Sequence, residues 1–250
     1  MDGLHTDVSI KIIIRMTYKE IYNLTMPQSK RADEKYLYWD RLLRVPATLL
    51  TIPLIKTKVN PTTITKYSIL TLVIFACLVS CGFTMSLKIL GWSFLFVWGV
   101  LDSVDGQLAR CTNQCSNLGD LWDTMGGYLA MIFIYFSSGI AAFYDYCVFS
   151  IFDNYISLIL GGSTAVLSVF PRLIMQKKKN YGDSDAVENV TNKQLFSLPK
   201  ILIQNLISPT AFLQPILLVA ICTHMLDCFI LFYFIVNMVV TISTLRILLK

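Results

Sequence analysis

Residues 101–123 read LDSVDGQLARCTNQCSNLGDLWD, and they place Asp102, Asp105, Asp120 and Asp123 between two long apolar runs. Upstream, Ile89 to Leu101 is uncharged; downstream, residues 124–144 hold no Asp, Glu, Lys or Arg. A carboxylate in a bilayer is costly, so acids at the end of one span and the start of the next mark a functional site and one membrane face. At 100° per residue, Asp102, Asp105, Gly106 and Ala109 share one helix face. Gly106 and Ala109 make a smooth strip beside the two carboxylates, and Arg110 adds a fixed positive charge. After a short polar turn a second helix is predicted from Asn117, carrying Asp123 one turn beyond Gly119, so that three carboxylates converge across the hairpin.

The rest of the chain fits a membrane frame. Of 250 residues, 55% are hydrophobic and 15% charged, against roughly 25% charged in an ordinary soluble domain. Charge-free stretches at 67–87, 124–144, 154–171, 201–226 and 228–245 approach or exceed the ~20 residues that cross a bilayer. A further span over about 86–110 brings the expected count to six. The predicted fold class is an all-α integral membrane protein of six transmembrane helices, preceded by a juxtamembrane amphipathic helix.

Orientation follows from the basic residues, which favour short cytoplasmic loops. With a cytoplasmic N-terminus, 20 of the 21 Lys and Arg fall on or near that side, and only Lys88 falls in an outer loop. The site is then cytoplasmic as well. Residues 1–60 carry no long apolar run and read as a cytoplasmic arm; between Lys35 and Lys58, basic residues alternate with Tyr36, Tyr38, Trp39, Leu42, Leu43 and Leu49, the mixture of a helix in the headgroup layer. Residues 61–250 read as the membrane domain, with a polar cytoplasmic insertion at about 175–200. No internal repeat supports a transporter.

The net charge of +5 is spread along one membrane face, which points to membrane lipids with anionic headgroups and not to nucleic acid. The seven cysteines show no zinc spacing and read as reduced and structural. Asp102, Asp105 and Asp123 supply hard oxygen donors suited to Mg²⁺ or Mn²⁺, and such an ion neutralises a diphosphate. Interfacial salt bridges to Arg110 and Lys66 are the plain alternative, but residues 61–171 hold three basic residues for six acids.

The segment resembles the signature of the CDP-alcohol phosphotransferase (CDP-alcohol phosphatidyltransferase) family: Asp, two residues, Asp-Gly, two residues, Ala-Arg, eight residues, Gly, three residues, Asp, three residues, Asp. Asp102, Asp105, Gly106, Ala109, Arg110, Gly119 and Asp123 match it at the same spacing. The resemblance implies a six-span, usually dimeric helical fold that transfers a phosphatidyl or phospho-alcohol group from a CDP-alcohol to an alcohol acceptor and releases CMP. It implies metal ligation by Asp102, Asp105 and Asp123, and nucleotide binding by Thr65, Asp105, Gly106, Ala109, Arg110 and Gly119. CDP-diacylglycerol is the donor that family analogy supports, with a polar or phosphorylated alcohol as acceptor. Of the element that precedes the first span in the family, Pro61 and Thr65 carry over, and Thr62 stands where Asn is common.

The departure is Gly127, which replaces the last Asp of the signature, a metal ligand and the proposed general base. Three readings accommodate it. Asp123 or Asp120 takes over as base, although Asp120, three residues after Asn117, also fits an acid that caps the first turn. Alternatively, the acceptor needs no strong base, and Gly126 and Gly127 leave room for a large one. In the third reading, the chain has lost transfer chemistry and binds a CDP-lipid or acts as a membrane interaction protein. Arg172 and Lys66 stand where a family member holds a phosphate on the acceptor, and headgroup anchoring explains them equally. Membrane prenyltransferases, which also use an Asp-x-x-Asp helix, need a second acidic motif; after residue 172 the acids are Asp183, Asp185, Glu188 and Asp227, the first three in the polar insertion.

Overall fold

Asn60 and Pro61 begin the first long helix. Asn60 Oδ1 accepts the Thr62 N–H at 2.9 Å, and proline fills the first helical position, where no N–H is needed. The computed structural model describes residues 22, 23, 25, 38–57, 59–145, 154–180 and 198–248. Among the described residues the named elements, in chain order, are α1 (Tyr38–Thr57), α2 (Pro61–Cys81), α3 (Met85–Thr112), α4 (Asn117–Tyr144), α5 (Asn154–Asn180), α6 (Leu198–Ile207), α7 (Leu213–Cys222) and α8 (Leu226–Leu248), all helical. Among the described residues, five helices are long and apolar enough to cross a membrane, namely α2, α3, α4, α5 and α8. The all-α, multi-pass reading of the sequence therefore stands at that level.

Three expectations need correction. The run at 201–226, read as one span, is divided into α6 and α7 of 10 residues each, each about 15 Å long and too short to cross a ~30 Å core. Pro209 in the intervening turn supplies no N–H and disfavours a helical residue before it, so the chain turns at 208–212. The apolar run at 67–87 stops being helical at Cys81, and Thr84 Oγ1 opens α3 by accepting the Leu87 N–H at 3.4 Å. Lys88 thus sits in the first turn of α3 and not in a loop. Finally, α5 continues to Asn180, beyond the expected start of the insertion near 175; residues 181–197 lie outside the described residues, as does most of the N-terminal arm.

The chain forms two compact units. In the first, Met1–Thr71 with Leu95–Gly127, α1 docks along the signature helix. Leu43, Ala47 and Ile55 of α1 form one buried cluster with Val100, Val104, Leu108 and Cys111 of α3 and Ile64 of α2. Thr51 Oγ1 reaches Gln107 Oε1 at 3.2 Å across the same seam. The buried residues of α1 recur every three to four positions, while Leu42, Val45, Leu49 and Leu50 are exposed.

In the second unit, Leu72–Phe94 with Tyr128–Lys250, α5 and α8 pack together and Thr241 Oγ1 donates to the Leu167 carbonyl at 2.9 Å. Gly139 of α4 and Gly161 of α5 bring two backbones into contact. A Cβ on Gly139 would stand 2.9 Å from the Gly161 Cα, so glycine is required at this crossing. Buried polar groups are tied between helices: Asn237 Nδ2 donates to Tyr135 Oη at 3.3 Å, and Tyr233 Oη donates to the Leu206 carbonyl at 3.0 Å. Among the described residues, the cysteines at 77, 81, 111, 115, 222 and 228 form no disulfide.

Candidate active site

The hairpin that carries the signature is built by local capping. At the end of α3, Asn113 adopts φ 53°, and the Gln114 N–H bonds the Ala109 carbonyl at 3.0 Å. This is a left-handed helix terminus of the kind asparagine tolerates next best to glycine. Three residues later Ser116 Oγ accepts the Gly119 N–H at 3.1 Å, and its carbonyl accepts the Asp120 N–H at 3.0 Å. Ser116, not Asn117, is therefore the capping residue of α4. Asp120 lies exposed in the first turn, where the helix dipole favours an acid.

Asp105 is the best-anchored carboxylate. It is 5% exposed, and its Oδ2 accepts the Thr65 hydroxyl at 2.6 Å. Asp123 lies near enough to repel its charge, and Arg110 near enough to attract it. Three helices, α2, α3 and α4, thus bring Thr65, Asp105, Gly106, Arg110 and Asp123 together within the first unit. Asp102 stands one turn before Asp105 on α3, half-buried.

The glycines carry distinct spatial meanings. A Cβ on Gly106 would meet the Arg110 guanidinium, 3.3 Å from Nη1 and 3.4 Å from Nη2, so this arginine lies across the open strip. On Gly119 a Cβ would press on Ser116 Oγ at 3.2 Å, with Thr62 Oγ1 3.9 Å away, which ties the start of α4 to the start of α2. Gly126 is buried, 3.7 Å from Ile69 Cγ1 by the same measure, whereas at Gly127 a Cβ would meet nothing within 4 Å. The place of the missing acid is open space.

Lys66 Nζ sits 5.2 Å from the centre of the Trp122 ring, a cation–π contact beside Asp123. Arg172 belongs to the second unit, where its charge faces the Tyr128 and Tyr135 hydroxyls. Among the described residues, no three His, Cys, Asp or Glu side chains are grouped as a metal ion requires. The expected convergence of Asp102, Asp105 and Asp123 into one three-carboxylate group across the hairpin is therefore not met, although each is an oxygen donor of the kind a hard divalent cation takes.

The sequence profile of the CDP-alcohol phosphatidyltransferase family matches residues 58–243. The chain belongs to that family. No curated protein and no solved structure matches it. Membership covers all of α2 to α7 and most of α8, and leaves α1 outside the matched residues. The resemblance carried by the signature residues is thus borne out, and the transfer of a phospho-alcohol group from a CDP-alcohol is the activity that the family name describes. Sequence reasoning passed over Ser116 and Trp122. Only the first had a local signal, a serine three residues before a glycine at a helix start.

Proposed function

We propose that this chain transfers a phosphatidyl or phospho-alcohol group from a CDP-alcohol, in the first instance CDP-diacylglycerol, to the hydroxyl of a polar or phosphorylated alcohol. The acceptor oxygen forms a bond to the phosphorus that bears the donor alcohol. The bond from that phosphorus to the CMP oxygen breaks, CMP leaves, and the acceptor proton passes to the protein or solvent. The observation that carries this reading is the anchoring of Asp105 by Thr65, with Asp123 and Arg110 as its charged neighbours.

Each residue then has a role. Thr65, Asp105, Gly106, Ala109, Arg110 and Gly119 bind the nucleotide: Arg110 supplies positive charge for the diphosphate, and the glycines let it approach the backbone. Asp102, Asp105 and Asp123 would hold Mg²⁺ or Mn²⁺, whose chemistry when bound is to neutralise diphosphate charge. With Gly127 in place of the fourth acid, the proton falls to Asp123, and Asp120 is the next carboxylate along α4. Lys66, over the Trp122 ring next to Asp123 in the chain, offers positive charge to an acceptor phosphate.

In the membrane, α6 and α7 in series complete a sixth crossing. The N-terminus and site face the cytoplasm, α1 lies among lipid headgroups, and the chain pairs as a homodimer. The open space at Gly127 favours a second reading, a catalytically impaired member that binds a CDP-lipid or a membrane partner.

One assay separates the two readings. Purified protein is given CDP-diacylglycerol, Mg²⁺ or Mn²⁺ and a panel of polar alcohols, and CMP release is measured. Transfer requires wild type to exceed an Asp102→Asn, Asp105→Asn double variant; equal rates leave only the binding role.

A further inference from the structure

We propose that Trp98, one turn before Asp102 on the signature helix, donates its indole N–H to an ester carbonyl of a diacylglycerol moiety and makes the site select ester-linked lipid. This deepens the transferase reading above and rests on it. Trp98 is 1% exposed, and among the described residues its Nε1 has no hydrogen-bond partner. A buried indole N–H normally finds one, and leaving it unpaired is costly. Trp92, earlier on α3, shows the ordinary outcome: its Nε1 donates to the Gln214 carbonyl at 2.8 Å. The indole nitrogen can only donate, so whatever completes it at Trp98 must be an acceptor.

Its position names the acceptor. Around α3, Asp102 lies about 40° to one side of Trp98 and Asp105 about 20° to the other, so the indole shares the site face. The face that docks α1, with Val100, Val104, Leu108 and Cys111, centres roughly 120° away. Along the axis Trp98 is about 6 Å from Asp102, toward the uncharged run that begins at Ile89 and hence toward the bilayer interior. Counted from the hairpin turn, Gly127 comes to about the level of Asp102, and a side chain there would meet nothing within 4 Å. Room for a lipid backbone therefore exists one turn above the indole. In a diacylglycerol the ester carbonyls are the first acceptors beyond the oxygen joined to phosphorus, on the way to the acyl chains. A neutral, single donor suits them; a diphosphate oxygen at that depth would lose its hydration for one uncharged partner. A tryptophan that only fills space leaves its N–H unpaired and predicts no distinction between ester and ether lipids.

Ester and ether lipids separate the two roles. Full-length protein in detergent micelles with Mn²⁺ is given CDP-dioleoylglycerol or its dioleyl ether analogue, which lacks carbonyls. Affinity is read by displacement of labelled CDP, for wild type and for Trp98→Phe. In a second arm, CMP release is measured from CDP-choline with dioleoylglycerol or the dioleyl ether as acceptor, since the same moiety can sit on either substrate. Wild type is expected to prefer the ester about five- to tenfold in one arm, and Trp98→Phe to bring that ratio close to one. Preference in the first arm places the diacylglycerol on the donor, in the second on the acceptor, and either supports the contact. A wild type indifferent to ester and ether in both arms, or a preference that survives Trp98→Phe, makes Trp98 a packing residue and overturns the proposal with the transferase reading intact. Wild type that binds no CDP and releases no CMP overturns both. An ester preference in binding, lost in Trp98→Phe, from protein that releases CMP with no acceptor sinks the transferase reading alone. Should Trp98→Phe fail to fold, benzothienylalanine in place of Trp98, which keeps the bicyclic shape and exchanges the N–H for sulfur, carries the test with the same outcomes.

Discussion

The Thr65 hydroxyl donates to Asp105 Oδ2 at 2.6 Å, joining the first turns of α2 to the signature helix through a buried carboxylate. A hydrogen bond to a charged group is worth about 1.5–3 kcal/mol, and it fixes the direction in which Asp105 presents its other oxygen. Thr65→Val keeps the shape and deletes the donor. Its CMP release is expected to fall about 10- to 100-fold, with Thr65→Ser retaining most of it. A Thr65→Val enzyme as fast as wild type would show that the tie does not position the carboxylate.

Gly127 offers the reverse experiment. A side chain there begins in open space, so Gly127→Asp should fold as well as wild type and melt at a similar temperature in detergent. If the missing acid limits proton removal, CMP release rises by about 10²-fold, the lower end of what a general base contributes. An unchanged rate with an unchanged melting point would mean that Asp123, Asp120 or the acceptor itself already manages the proton.

How much of this was legible in sequence depended on whether the cause was local. The α3–α4 hairpin was readable because carboxylates inside apolar runs are costly at any depth, and the Asp102, Asp105, Gly106 face needs only helical periodicity. The break between α6 and α7 was hidden because hydropathy averages over a window, whereas Pro209 acts on one peptide. Thr65 was named from the family pattern, yet its hydrogen bond to Asp105 joins residues far apart in the chain. In sequence α1 reads as an interfacial helix; only the docking of Leu43 and Ala47 on α3 shows that one of its faces is packed against the site helix.

The Gly139–Gly161 crossing predicts a sharp contrast between neighbouring glycines. On Gly161 a Cβ would stand 2.8 Å from the Gly139 Cα and from the Tyr135 carbonyl oxygen, backbone that cannot yield cheaply. Gly161→Ala should therefore destabilise the protein by about 1–3 kcal/mol through overpacking. Gly162→Ala, where a Cβ meets nothing within 4 Å, should be neutral or slightly stabilising through helix propensity. Thermal unfolding of both variants in the same detergent checks this; equal melting points would mean that α4 and α5 can separate without cost.

Lys88 and Asp145 give the last prediction. Lys88 is 4% exposed in the first turn of α3, and its Nζ lies 2.7 Å from Asp145 Oδ2, just past the end of α4. His224 Nδ1 approaches the other carboxylate oxygen at 3.4 Å from a left-handed position after α7. Removing one member of a buried pair leaves the other charge without its counterion, at a cost of about 3–5 kcal/mol. Replacing both members with uncharged groups removes that penalty. Lys88→Met alone and Asp145→Asn alone should each lower the melting temperature strongly, while the double variant recovers most of the loss. The recovery distinguishes a paired charge from two independently necessary side chains: a double variant as unstable as the sum of the singles would show that each residue acts through contacts other than this ion pair.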